Sequence, residues 1–446
     1  MDAKNDLISK NGSRYNFPVG NLYRIPNETS MQEAVTLKIG IGRSQMEFPA
    51  GFFPTEGFLR EVHPLHVRVL YIAEACPFAL VSIEMTSLTD EECARIKKET
   101  AILLDIGKSQ VWVAATHTFS APHILPDVAI KTEEEKEKRT MLQRTLYDAI
   151  RAAAWQAKQE AAESELRLYQ GESSVIASRD IELPEGWWIG CGGSGPSDKT
   201  LSVLKVTQGE QVKALLLHAN VQSSILDGTG AAEGKCVSGD LAGIACAELE
   251  KQFPGAAVMF MIGAAGDQAP IKRAKGYAPD GQNGYAEIDL HEAGIPLAET
   301  QGKTLAEETL ATLKKDGRTL EGTVRTAFRP FYAPAKKMNR NLRELKPTHS
   351  CAWELEGEKE QTIELFALGD LAIIGVRPEL TYPTLRQLQA FSTYPVTLVA
   401  TMVNGGAKYM ADQSAYDRYM YEAINSPFAP GAAELLVKEA AALLRQ

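Results

Sequence analysis

The chain has 446 residues, 44% hydrophobic and 23% charged, with a formal net charge of −10. That composition supplies a large core and argues against nucleic acid as a partner, because phosphate binding needs clustered Lys and Arg. No apolar run approaches the roughly 18 residues of a membrane-spanning helix, the N-terminus lacks a signal-peptide core, and six cysteines are scattered without a CxxC pair, so a cytoplasmic protein with reduced thiols is expected.

Residues 1–34 are polar and irregular and read as a surface arm. Residues 35–446 carry no internal repeat and no Pro/Ser-rich linker, so a single large layered α/β domain with a mixed sheet is expected there. Two β-rich runs, 67–75 and 78–85, meet at Cys76-Pro77. Asp90, Glu91 and Glu92 then open a helix running to about Ile106. The apolar run Val111–Ala115 reads as a buried strand leading to His117, and the loop beyond it carries Pro122 and Pro126. Residues 133–165, rich in Ala, Glu, Lys and Leu, read as one long helix. Gly190 to Pro196 reads as a flexible loop. It lacks the Lys-Ser/Thr ending of a phosphate-binding loop and is not a nucleotide fingerprint.

Strands are expected at 201–206 and 214–217, the second ending on His218. A helix follows from Asp240 to Glu250, and a strand at 258–262 leads to Gly266-Asp267-Gln268. The stretch 270–296 reads as loop-rich. A helix at 305–315, β-rich stretches at 320–332 and 364–376, a helix at 382–391, a strand at 396–403 and a helix at 432–444 complete the chain. Layered α/β sheets bind ligands beyond the carboxyl ends of their strands. His117 and His218, two of only seven histidines, both follow apolar runs, and neutral imidazole is the commonest metal ligand.

Thr116-His117-Thr118-x-Ser120-x-Pro122, Gly266-Asp267-x-x-Pro270, Pro378-Glu379-x-Thr381 and Tyr409…Tyr416…Tyr421-Glu422-Ala423, in this order, resemble the catalytic domain of the neutral/alkaline (non-lysosomal) ceramidases. The resemblance implies one catalytic zinc at strand ends, held by His117, His218, Glu379 and Tyr409. In a zinc hydrolase of that kind, Asp267 at its strand-end turn is expected to orient the water or support the ligands, and Gln268 to donate a hydrogen bond to substrate. His66, Ser120 and His123 are further candidates for substrate contact.

Three departures stand beside it. Phe119 occupies the place of the family's second motif histidine, and Ala269 that of the serine needed for ceramide cleavage. The family's arginine is not apparent between Gly190 and Asp198. No C-terminal immunoglobulin-like domain is expected either. The expectation is a ceramidase-like zinc hydrolase, and not a ceramidase, acting on a small polar amide or ester. The alternatives are a non-catalytic or sensing protein on the same scaffold, and a metal-dependent lyase or isomerase.

Overall fold

The structure, a computed structural model, describes residues 37–282, 284–338 and 345–446. The arm expected at 1–34 lies outside these. Val35–Gln446 forms one compact unit.

Strands buried on both faces build two facing sheets. The larger has nine strands, in spatial order Ala257–Ile262, Gln211–Ala219, Thr200–Gln208, Ala162–Glu172, Leu37–Gln45, His66–Ile72, Phe78–Ile83 and Val111–Ala115, with Arg318–Thr319 beside Ala162–Glu172. It is mixed: the first pair and the last pair are parallel, the others antiparallel. The second sheet orders Arg325–Lys336, Leu355–Leu368, Leu371–Gly375 and Val396–Ala400.

Alternation along each strand sends one set of side chains between the sheets and the other set toward helices. Between them pack Leu70, Leu80, Trp112, Leu216 and Met259 from the first sheet against Phe366, Ile373 and Leu398 from the second. Phe78 sits at the seam, edge-on to Trp112 at 5.3 Å and 4.6 Å from Phe366. Outside the first sheet lie the helices Asp90–Leu104 and Glu133–Gln159 over one half, and Asp240–Gln252 and Gly294–Thr312 over the other. Tyr382–Phe391 and Ala432–Leu444 cover the second sheet. The result is a four-layer α/β arrangement with mixed sheets, in accord with the expected fold class.

Local chemistry sets the helix ends. Thr89 accepts from the Glu92 backbone N–H at 3.2 Å, with three acidic residues in the first turn. Thr132 and Glu135 form a reciprocal capping box. The long helix lies directly on Leu37–Gln45, because a Cβ at Gly40 or Gly42 would meet a helix carbonyl oxygen at 1.8 Å.

Three expectations need correction. The 133–165 helix ends at Gln159, and Ala162–Glu172 is a strand whose inward residues Ser164, Leu166 and Leu168 recur with period two. Its outward Glu163, Glu165 and Arg167 imitate a solvated helix face. Gly190 to Gly193 lies within the strand Gly186–Gly193, paired to Ile176–Leu183. The 270–296 stretch holds the paired strands Lys275–Pro279 and Tyr285–Asp289. All six cysteines are free thiols, and no described helix is long and apolar enough to cross a membrane.

Arg68, fully buried in its strand, donates to Glu84 at 2.5 Å and to Glu250 at 3.0 Å. Burial alone raises the Glu84 carboxyl, but Arg68 and His66 outweigh it and hold the group at about 2. A depressed carboxyl adds stability that is complete above its unfolded value of 4.5 and is lost as pH falls through about 2. A displacement of that size corresponds to about 3 kcal/mol. Glu84→Gln is expected to lower unfolding stability at pH 7 by about 3–5 kcal/mol, since it strands a buried guanidinium. It should also flatten the decline of stability between pH 4.5 and 2, as read from urea midpoints across that range.

Candidate active site

His117 follows the strand Val111–Ala115 in a left-handed turn, φ 61°, a conformation unfavourable for a residue with a Cβ. Its Nδ1 lies 2.6 Å from the Thr86 carbonyl oxygen. A ring N–H donating there leaves Nε2 as the second functional atom. Nε2 is buried without a hydrogen-bond partner and stands 3.3 Å from Glu379 Oε1.

Glu379 and Tyr409 arrive together. After the strand Leu371–Gly375 the chain turns at Arg377-Pro378, and Glu379–Leu380 pairs in parallel with Tyr409–Met410, Glu379 opposite Tyr409. The Glu379 backbone N–H donates to Lys408 O at 2.8 Å. Gly266 donates to Leu380 O at 2.8 Å, and a Cβ at that glycine would meet the same oxygen at 2.9 Å. Glycine permits that approach.

His117, Glu379 and Tyr409 line the buried end of a cavity of about 730 Å³. Phe119, edge-on to His117 at 4.6 Å, Tyr421, Met402 and Phe428 add apolar wall. His123 lies on the same cavity, half-exposed and held by Glu56 at 2.9 Å.

Behind this floor lies a polar relay that the sequence reading missed. Arg179, on the strand Ile176–Leu183, is 3% exposed. It donates to Glu422 Oε1 at 2.7 and 3.1 Å and to Gln222 Oε1 at 2.8 Å. Its guanidinium carbon lies 5.2 Å from the Tyr409 ring centre and 5.8 Å from that of Tyr421. Gln222 passes the contact on, its Nε2 donating to Glu379 Oε2 at 2.5 Å.

The charges follow from these neighbours. Burial lowers His117, but Glu379 more than compensates and holds it above its ordinary value. Burial raises Glu379, yet His117 and Arg179 bring it below the usual carboxylate range. The two read as an imidazolium–carboxylate pair. Burial, reinforced by Glu379 and opposed by Arg179, keeps the Tyr409 phenol well above its usual range.

His218 is not in this constellation. Along Gln211–Ala219, Ala214 and Leu216 face the second sheet while Leu215 and Leu217 face the helices. His218 shares the parity of Leu216, and its Nε2 meets the Val399 carbonyl of the second sheet at 2.7 Å. It lines a different cavity, of about 290 Å³, with Asp198 and Asn220. Among the described residues no three His, Cys, Asp or Glu side chains gather as a metal-binding group.

The remaining candidates are also committed elsewhere. Asp267 accepts from the Tyr382 backbone N–H at 2.9 Å, at the start of a helix. Burial raises its carboxyl to about 7. Gln268 donates to Pro196 O at 3.2 Å, and Ala269 pairs with Ala177. Ser120 Oγ accepts from Gly228 N at 3.1 Å. His66 lies 3.6 Å from Glu84, in the Arg68 ion-pair group. None of these five lines the cavity.

Zinc of the implied kind takes two imidazoles, a carboxylate and a phenol. Beside Glu379 stands one imidazole, that of His117, while His123 on the same cavity is held by Glu56, and the Gln222 carboxamide stands against the carboxylate, with its oxygen already given to Arg179. The donor set does not fit that four-ligand centre.

No family model and no curated relative matches the sequence. Solved structures do. A ceramidase complexed with C2 superposes with a TM-score of 0.70 at 14% identity, covering 92% of this chain and 75% of that one. The neutral ceramidase from Pseudomonas aeruginosa gives 0.70 at 16%, with the same coverage. The chain therefore has a ceramidase-like fold.

His218→Ala is expected to cost about 1–3 kcal/mol of stability, from the Val399 carbonyl left unpaired in the core. It should leave the His117 imidazole resonances in NMR spectra unchanged. A shift of those resonances would place His218 beside the cavity floor after all.

Proposed function

We propose that the chain is a hydrolase acting on the carbonyl of a small amide or ester bound in the 730 Å³ cavity. The observation that supports this best is the His117–Glu379 pair, an acid and a base 3.3 Å apart at the buried end of that cavity. In this reading the Glu379 carboxylate takes a proton from water as the water oxygen bonds to the carbonyl carbon. The Tyr409 and Tyr421 phenols donate to the developing oxyanion. His117 gives its proton to the leaving nitrogen or oxygen as the bond to carbon breaks. The proton on Glu379 then returns to His117, restoring the pair.

Zinc, which the family resemblance implies, is left out of these steps because the donors beside the pair are a carboxamide and a guanidinium-linked phenol. Asp267 has a supporting role: its backbone carbonyl accepts from the Arg179 N–H at 3.0 Å. A second reading, a binding or sensing protein, is favoured by Ala269 and Phe119, which bring neither nucleophile nor imidazole.

A screen of amides, esters and lactones in ¹⁸O-labelled water tests both. Hydrolysis places one solvent oxygen in the acid product, whereas a lyase or isomerase product carries none. His117→Ala and Glu379→Gln should each lower kcat by roughly 10²–10⁴-fold. Turnover that survives both substitutions would sink the acid–base assignment, and ligand binding with no turnover would favour the sensing protein.

A further inference from the structure

Gln222 was not singled out by any motif, yet its two amide atoms join the charged groups of the floor. The carboxamide has one donor end and one acceptor end. Only one orientation satisfies both neighbours: N–H toward the Glu379 carboxylate at 2.5 Å and oxygen toward the Arg179 guanidinium at 2.8 Å. In that orientation no lone pair faces the His117–Glu379 gap. The oxygen that could ligate a cation is taken by Arg179, and the end against Glu379 presents hydrogen.

The same geometry places a permanent positive charge one amide away from Glu379. Arg179 cannot release its proton and is fixed by Glu422, Gln222 and two tyrosine rings. A divalent ion at the gap would meet that guanidinium through a neutral spacer in a poorly screened interior. Meanwhile the His218 imidazole is turned toward the Val399 carbonyl of the second sheet.

We propose that this site is built to work without a metal ion: Gln222 stands where a second nitrogen donor would be needed, and Arg179 supplies the fixed positive charge of the centre. Gln222 is a positioning residue, orienting Glu379 toward His117 and coupling it to Arg179. The inference rests on the hydrolase reading only where turnover is measured.

The test is zinc content and affinity of the full chain, by elemental analysis of protein purified without chelator and by calorimetric titration with zinc chloride. Wild type is expected to carry substoichiometric zinc and to bind added zinc weakly. Gln222→His should gain affinity by more than the roughly 10–100-fold that a hydrogen-bond partner of a ligand is worth. The gain should vanish in the double variant with His117→Ala. Gln222→Glu, which adds a carboxylate donor and removes the N–H, should gain affinity too, and keeps the test decisive if the His variant does not fold. Stoichiometric zinc in wild type that is lost with His117→Ala would overturn the proposal. So would folded Gln222 variants with no gain. Where a substrate is turned over, exhaustive EDTA dialysis should leave kcat/KM unchanged, and a loss restored by zinc would also overturn it. Absence of any turnover would count against the hydrolase reading alone, since the metal measurements do not depend on it.

Discussion

A buried guanidinium cannot neutralise itself by losing a proton, so the protein around Arg179 has to be arranged to suit its charge. Glu422 takes two of its N–H groups, Gln222 a third, and the rings of Tyr409 and Tyr421 lie across it. Each partner has a second duty. Gln222 orients Glu379, and Tyr409 and Tyr421 wall the cavity. Asp267 accepts the Arg179 backbone N–H while its side chain receives the first N–H of a helix. Burial raises the carboxyls of Asp180, Asp267 and Glu422, and the charge of Glu422 adds to the rise at the two aspartates. Glu379 differs because it has His117 as well as Arg179, and those two outweigh its burial.

Backbone geometry delivers the reacting pair to this cluster. The left-handed turn at His117 aims the ring across the end of its strand, and Thr86 O fixes which nitrogen is left over. The two-residue ladder of Glu379 with Tyr409 makes carboxylate and phenol neighbours by register. Met402, Asn404 and Lys408 also have positive φ, so the connection from Val396–Ala400 to Tyr409 is a series of tight reversals. Asn404 ties that connection to the His117 strand, donating its backbone N–H to Val113 O at 2.7 Å and accepting from Val113 N at 3.0 Å. Two layers of the molecule are locked together immediately above the site.

Much of the fold was legible because its strongest signals are local. The helices Tyr382–Phe391 and Ala432–Leu444 match their expected bounds, and the apolar runs before His117, His218 and Asp267 are all strands. His117, Glu379 and Tyr409 line one cavity. His218 does not, because the expectation asked only whether a residue follows an apolar run and ignored which face it takes. Strand parity, readable from Ala214 and Leu216, assigns it to the face away from the helices. Arg179 belonged to none of the motifs and lies on the strand Ile176–Leu183. Its neighbours Ser178 and Asp180 make it look like an ordinary solvated strand face. Gln222 had no signal at all: its role is defined by two partners, 43 and 157 residues away.

The fold and the centre of this protein are controlled by different numbers of residues. The four layers rest on dozens of side chains spread over every strand, each worth about 1.5–3 kcal/mol when fully buried. Such a core tolerates wide substitution while volume and pattern persist, which accounts for a TM-score of 0.70 at 14–16% identity. The centre rests on five or six groups, where one exchange changes the chemistry without disturbing the layers. Exchanging the Gln222 carboxamide for an imidazole would be such an exchange: it would remove the N–H donor to Glu379 and the oxygen that Arg179 now occupies. Likeness of the shell therefore carries the layers alone, while the hydrogen-bond partners of Gln222 bear on what the cavity floor can do.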